Sequence, residues 1–551
     1  MKRLLLALLV ILPMGIAAQH NHANRSGTAK ADTVLEEGLG RIHHPVSTTD
    51  SMAQQFFDQG LAYAYGFNHQ EAIRSFKHAS ELDPQLAMAY WGIALAMGSN
   101  YNLEADSPQL KEAYANLQKA ISLAPRASAQ DQAYIDALSN RYAADPDTER
   151  QKLAAAYKNA MGDLVKKYPN DLDAATLYAE SMMNLHPWQL WSIDGKPADG
   201  TLEIIAVLED VLKRDPNHIG ANHYYIHAVE ASPNPERALA SAKRLGLLAP
   251  NAGHLVHMPS HIYIRTGDYA KAAGANAAAI IVDENYIKRN GSEGVYPLMY
   301  YNHNIHFLAS ASAMEGNFAE AIKRSRQLEA NVKPVLKVMP MLGAFAAYPM
   351  TILVRFKKWD EILKEPEPEK EMQIVSAIWH FGRGIAFAET GKADNAEREM
   401  VAFKEVLGRV SQIVPWGNNT APAVLTVPGE ILAGEIAMAK GHKAASIQHF
   451  TAAVTLNDKL IYDEPPDWDL PTREFLGRAL LMNGDPAGAE SVYRAELVKH
   501  PKNGRALFGL IESLDRQGKK KEASKLSGHL RRSWAKADTK LRTADLYAAG
   551  K

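Results

Sequence analysis

The feature that most constrains this chain is a two-helix unit that keeps returning. Its clearest copy is AQQFFDQGLAYAYGFNHQEAIRSFKHASELDPQ, which starts at Ala53. Counted from Ala53, small residues stand at positions 8 (Gly60), 20 (Ala72) and 27 (Ala79), and large ones at 11 (Tyr63) and 24 (Phe76). Small residues let two helices approach, and large ones fill the gap to the next pair. Pro84, at position 32, ends the second helix, because proline lacks an amide proton and disfavours helix before it.

Less regular copies follow. MAYWGIALAMG predicts another first helix, and KEAYANLQKAISLAP its partner after an inserted loop near Asn100 to Pro108. Proline stops recur at Pro169, Pro216, Pro250 and Pro501, and glycine turns at Gly267, Gly316, Gly391, Gly441, Gly484 and Gly518. No alternating strand pattern appears. From about residue 52 to 533 the chain resembles the tetratricopeptide (TPR) repeat family, whose unit is a 34-residue helix–turn–helix. The resemblance implies an all-α, TPR-like superhelix of stacked antiparallel helix pairs, with the first helix of each pair lining a concave groove.

The expected organisation is a signal peptide at 1–18 and a polar segment at 19–51, followed by N-terminal repeats at 52–218. Central repeats occupy 219–335 and C-terminal repeats 336–551. Lys2 and Arg3 precede an apolar run, Leu4 to Leu12, and then the small pair Ala17–Ala18, which is the order of a secretory signal. Nine apolar residues are too few to span a bilayer, and no other run is read as transmembrane. An exported protein follows, periplasmic or extracellular, with no integral membrane segment after signal cleavage. The net charge of −1 offers no basic excess for nucleic acid. With no cysteine, thiolate nucleophiles, disulfides and Cys-ligated metals are excluded.

One stretch departs from repeat chemistry. HYYIHAVE, GHLVHMPSHIY and YYNHNIH fall between His223 and His306, and His257 and His261 follow His223 and His227 at the same spacing of 34 residues. The proline stop at Pro250 and the turns at Gly267 and Gly316 set repeat starts at Ile219, Gly253 and Asn302, after an insertion around Tyr286 to Tyr300. In that frame the family's groove position 5 is His223, His257 and His306. Position 9 is His227, His261 and Ser310, and position 2 is Gly220, His254 and His303. Imidazole is the commonest metal-ligating side chain and suits zinc, copper or iron. The seven histidines are therefore candidate ligands of one shared site. Glu230, one turn beyond His227, is a candidate third ligand, partner to a ring N–H, or general base. Pro259 inside HMPSH predicts a helix that starts late or is kinked.

Two long Pro/Trp stretches interrupt the C-terminal repeats, Val414 to Pro428 and Tyr462 to Glu474. Folded into the groove, the second would bring Asp463, Glu464 and Arg473 to the site with Trp468 as an apolar wall. The competing reading is that Trp416 and Trp468 only pin the loops to the array. Three functions remain open: a scaffold whose groove binds a peptide or protein partner, a transition-metal-binding protein, and a metal-dependent enzyme using the same histidines. No nucleotide-binding, zincin or serine-hydrolase motif narrows the reaction.

Overall fold

The computed structural model describes residues 34–291, 294–543 and 546. The leader at 1–18 and the polar segment as far as residue 33 lie outside the described residues. The chain packs as two compact units. Among the described residues, one comprises 34–35, 43–64 and 69–187, and the other 36–42, 65–68 and those from 188.

The first unit carries the clearest repeat. The helix Ser51–Tyr65 is followed by His69–Leu82, Ala87–Met97 and Ser107–Leu123. Phe76 is fully buried. A Cβ placed on Gly60 or on Gly92 would lie 2.6 Å from its ring. The ring therefore fills the space that two first helices leave open, its own and the next. Helix starts follow local chemistry: Asp106, Ser128 and Asp171 each accept a hydrogen bond from a backbone N–H in the first turn.

The second unit repeats the device. Tyr493 stands against Gly477 and Gly509, where an added Cβ would meet its ring at 2.5 and 2.2 Å, and Phe450 stands against Gly434 at 2.5 Å. Gly267, Gly316, Gly391, Gly441, Gly484 and Gly518 all take positive φ, between 71° and 83°. That left-handed conformation is the ordinary exit from a helix where no Cβ intrudes. Within the second unit successive helices pack on one another, and among the described residues the only strands are two residues long. The fold class is all-α, an array of TPR-like helix pairs.

The second unit also corrects several expectations. Val414 to Pro428 is not one loop. Pro415–Trp416 pairs with Asn419–Thr420 in a minimal hairpin around Gly417, whose φ is 56°. The helix Ala421–Ala439 then begins, with Pro422 in its first turn and Pro428 inside it. Pro422 stands where its missing N–H has no helical partner to lose, and burial of both faces holds the helix through Pro428. This helix is also long and apolar enough to cross a membrane, contrary to the reading that no later run is. Its apolar window is 72% buried inside the protein, as in a core helix. The second stretch is irregular only as far as Pro471, and the helix Thr472–Met482 takes up Arg473 and Glu474.

Candidate metal centre

Three helices of the second unit begin at Ile219, Gly253 and Asn302, the three starts that the proline and glycine punctuation sets. Asn302 is reached through a π-helical turn, Tyr296–Tyr301, and the expected insertion is shared between that turn and the end of the helix Tyr269–Asn290. The middle helix is divided rather than delayed. Gly253–His257 and Pro259–Arg265 meet at Met258, which keeps helical torsions (φ −50°, ψ −34°). Pro259 becomes the first residue of the second piece, and His254, His257 and His261 stay on one broken helix.

The histidines do not form one cluster of seven. They form two triads, His223 with His227 and His254, and His257 with His261 and His303, each able to offer three ring nitrogens within 4.8 Å of one another. His306 joins neither. Its ring stands 4.3 Å from Tyr348 and 5.4 Å from Phe345, centroid to centroid. The helix Asn302–Met314 carries His306 one turn beyond His303 on the same side, but its ring turns to Tyr348 and Phe345 and away from the triads. Nor are five of the six ligands open to a groove: His223 and His257 are 0% exposed and His254 is 3% exposed, while His303 is half-buried.

Hydrogen bonds decide which ring nitrogen carries the proton. His223 Nδ1 is 2.6 Å from the Tyr65 carbonyl, which can only accept. His227 Nδ1 is 2.7 Å from Glu230 Oε1, and His261 Nδ1 bonds Glu230 Oε2. His257 Nδ1 is 2.6 Å from Asn276 Oδ1, and the Asn276 amide donates to the Ala272 carbonyl. The Ser260 hydroxyl lies 3.3 Å from the same Nδ1. All four Nδ1 atoms thus face oxygen acceptors and donate to them, which turns the Nε2 atoms inward. Yet His257 Nε2 and His261 Nε2 stand only 2.9 Å apart, and His223 Nε2 is 3.2 Å from His254 Nε2. At His257 and His261 the two Nε2 lone pairs repel unless a cation or a proton sits between them, whereas His254 Nδ1 has no acceptor and its Nε2–H can donate to His223 Nε2.

Burial disfavours the proton. It lowers the pKa of His223, His254, His257 and His303 well below the ordinary 6.5, with neighbouring histidines adding to the effect. Burial also outweighs Glu230 at His227, which is lowered too. Burial would raise the Glu230 carboxyl. The charge that His261 and His227 would place beside it, with their hydrogen bonds, instead brings it down to about 2, so it is ionised. One carboxylate therefore orients a ring in each triad. This is the arrangement by which metal-ligating histidines are commonly held.

Surrounding residues fix the helices. The Tyr296 hydroxyl donates to Asp283 at 2.9 Å and accepts the His254 backbone N–H at 3.1 Å, while Asn304 donates to the other Asp283 oxygen at 2.7 Å. Phe67 packs on His223 with ring centroids 4.5 Å apart. None of Tyr65, Phe67, Asn276 and Asp283 was singled out in the sequence. Asn276 had a signal, being an isolated polar residue in the apolar run GANAAAIIV, whereas Asp283 stands at the head of the polar stretch DEN and had none.

The four loop candidates separate. Glu464 is buried near the centre. Burial raises its pKa to about 7 against the charges of Arg265 and His261. Asp463 turns instead to the hairpin, accepting the Asn418 N–H at 3.2 Å. Trp468 is buried against Phe381, with centroids 5.5 Å apart, so it pins the loop and does not wall the site. Arg473 pairs with Asp458 at 2.9 Å.

In the first unit, His44 Nδ1 bonds Asp173 at 2.9 Å with Asp171 nearby. Burial would lower the His44 pKa, but the bond to Asp173 and its charge raise it. Asp171 is already taken by the Tyr134 hydroxyl and the Gln130 amide, both at 2.7 Å. The group reads as an ion pair anchoring residues 43–50.

No family model and no curated protein matches the chain. Among solved structures it is similar to the human IFIT1 dimer with PPP-AAAA, at 13% identity over 88% of this chain and 91% of that one, TM-score 0.31. It is similar to yeast Tom70 at 10% identity over 88% and 91%, TM-score 0.31. The P58(IPK) TPR domain follows at 12% over 85% and 99%, TM-score 0.23. The fold assignment rests on the helix pairs themselves.

Proposed function

We propose that this is an exported TPR-repeat protein that binds transition-metal ions in its buried histidine centre. The observation that carries the reading is the 2.9 Å approach of His257 Nε2 to His261 Nε2, both Nδ1 positions being committed to oxygen acceptors. A metal ion turns that repulsion into two bonds, since imidazole ligands sit ~2.0–2.1 Å from an ion such as zinc. An all-nitrogen donor set suits zinc, copper or iron. Three protein ligands per triad leave each ion a further position, which favours a metal-dependent enzyme as the second reading. A peptide-binding scaffold without metal gains less support, because five of the six ligand histidines are buried and offer little surface to a peptide. A protein partner elsewhere on the array remains part of the proposal, nucleic acid does not, and localisation is proposed as periplasmic or extracellular.

The test is metal analysis of tag-free protein purified without added metal, then titration of the metal-free form. Wild type is expected to retain metal and His257→Ala/His261→Ala to lose at least one equivalent. Equal, negligible retention by both proteins rules the reading out. Cell fractionation with N-terminal sequencing checks export.

A further inference from the structure

Building on the metal-binding reading, we infer that the two triads form a single dinuclear centre whose open positions take a small bridging anion. Glu230 spans the triads: one oxygen holds His227 and the other holds His261. The triads also touch directly. The rings of His227 and His261 stand 5.6 Å apart, and those of His254 and His257 5.7 Å, centroid to centroid. Four of the rings present Nε2 inward. The ions therefore become neighbours in one pocket and are not insulated by a layer of packing.

Charge then identifies the missing ligand. Six neutral imidazoles neutralise nothing, and two divalent ions bring four positive charges against the single carboxylate of Glu230. Glu464 is offset by Arg265, whose Nε donates to the Glu230 carbonyl at 3.0 Å. Burying that excess is prohibitive without a counter-ion. The cheapest place for one is the coordination position each triad leaves vacant, where a single anion reaches both metals. Hydroxide meets the requirement from water, and azide is a spectroscopic substitute of the same class.

The experiment loads metal-free full-length protein with copper(II) and follows stoichiometry, electron paramagnetic resonance and absorbance during azide titration. Two equivalents are expected, with a resonance signal under one-tenth of two isolated spins and a new absorption band as azide binds. Glu230→Gln, nearly isosteric, is expected to weaken both equivalents together by 10–100-fold, the usual cost of losing such a partner. His303→Asn is expected to make the remaining copper visible by resonance. Two equivalents with full-intensity, azide-insensitive signals overturn the dinuclear centre and leave metal binding intact. A single equivalent does the same. No bound copper, with no zinc or iron taken up in its place, removes both readings.

Discussion

Gly253 starts the helix that carries three of the ligands, and nothing larger fits there. A Cβ at this position would lie 1.9 Å from Asp283 Oδ1 and 3.0 Å from the Tyr296 hydroxyl. Both atoms are fixed, Asp283 by Tyr296 and Asn304, and Tyr296 by the His254 N–H. Gly253→Ala is therefore expected to destabilise the metal-free protein by about 1–3 kcal/mol, the usual range for overpacking a filled site, as read by denaturant melts. Unchanged stability would mean that the contact relaxes freely. At this scale the sequence was legible in part. Repeat register pointed to His223, His227, His254, His257, His261 and His303, but also to His306, which packs on Tyr348 and Phe345 instead. Register marks a position on a helix; it does not say which neighbouring ring fills the adjacent space.

Elements were more legible than residues where punctuation is strong. Pro250, Gly267 and Gly316 suffice to start helices at Ile219, Gly253 and Asn302, because proline and positive-φ glycine act locally. The loop from Ile461 to Pro471 was less legible, since its shape comes from a partner far along the chain. The Asn419 side chain donates to the Ile461 carbonyl at 3.0 Å and to Asp467 at 2.7 Å, and accepts the Ile461 N–H at 2.9 Å. Asn419→Ala removes all three bonds. It is expected to cost about 3 kcal/mol, at ~1 kcal/mol net for each of the three bonds lost, and to expose the loop to limited proteolysis. Cleavage there no faster than in wild type would show that Trp468 alone holds it.

Across the whole molecule, acid and metal should act on the histidine contribution to stability with opposite signs. His223, His254, His257 and His303 are held neutral in the folded protein with pKa values well below 6.5. Below pH 6.5 the unfolded chain binds these protons and the folded one does not. Their contribution is complete above pH 6.5 and is lost as pH falls towards the folded values. Asp283 and Glu464, raised to about 7 by burial, run the other way: their cost appears as pH rises from about 4 through 7. Other buried acids are raised as well, Glu435 to about 7 and Asp467 to about 6, so the histidine contribution is read by difference. Lowering the pH from 7.5 to 5.5 is expected to cost metal-free His257→Asn/His303→Asn less melting temperature than it costs metal-free wild type, and an equal loss in both would contradict the burial of neutral rings. Metal at a hundred times its dissociation constant should add about 2.7 kcal/mol at pH 7.5.

The sequence by itself determined the all-α helix pairs, their turns and the concentration of histidine on three successive helices. These follow from backbone restrictions at proline and glycine, and from the sizes of residues that must face each other one helix apart. Tertiary structure alone decided that the histidines divide into two triads and that Glu230 joins them. It alone brought Tyr65 and Asn276 to fix their protons. Those choices depend on hydrogen bonds between residues distant in the chain, whose partners are set by how helices pack and not by any spacing along one of them.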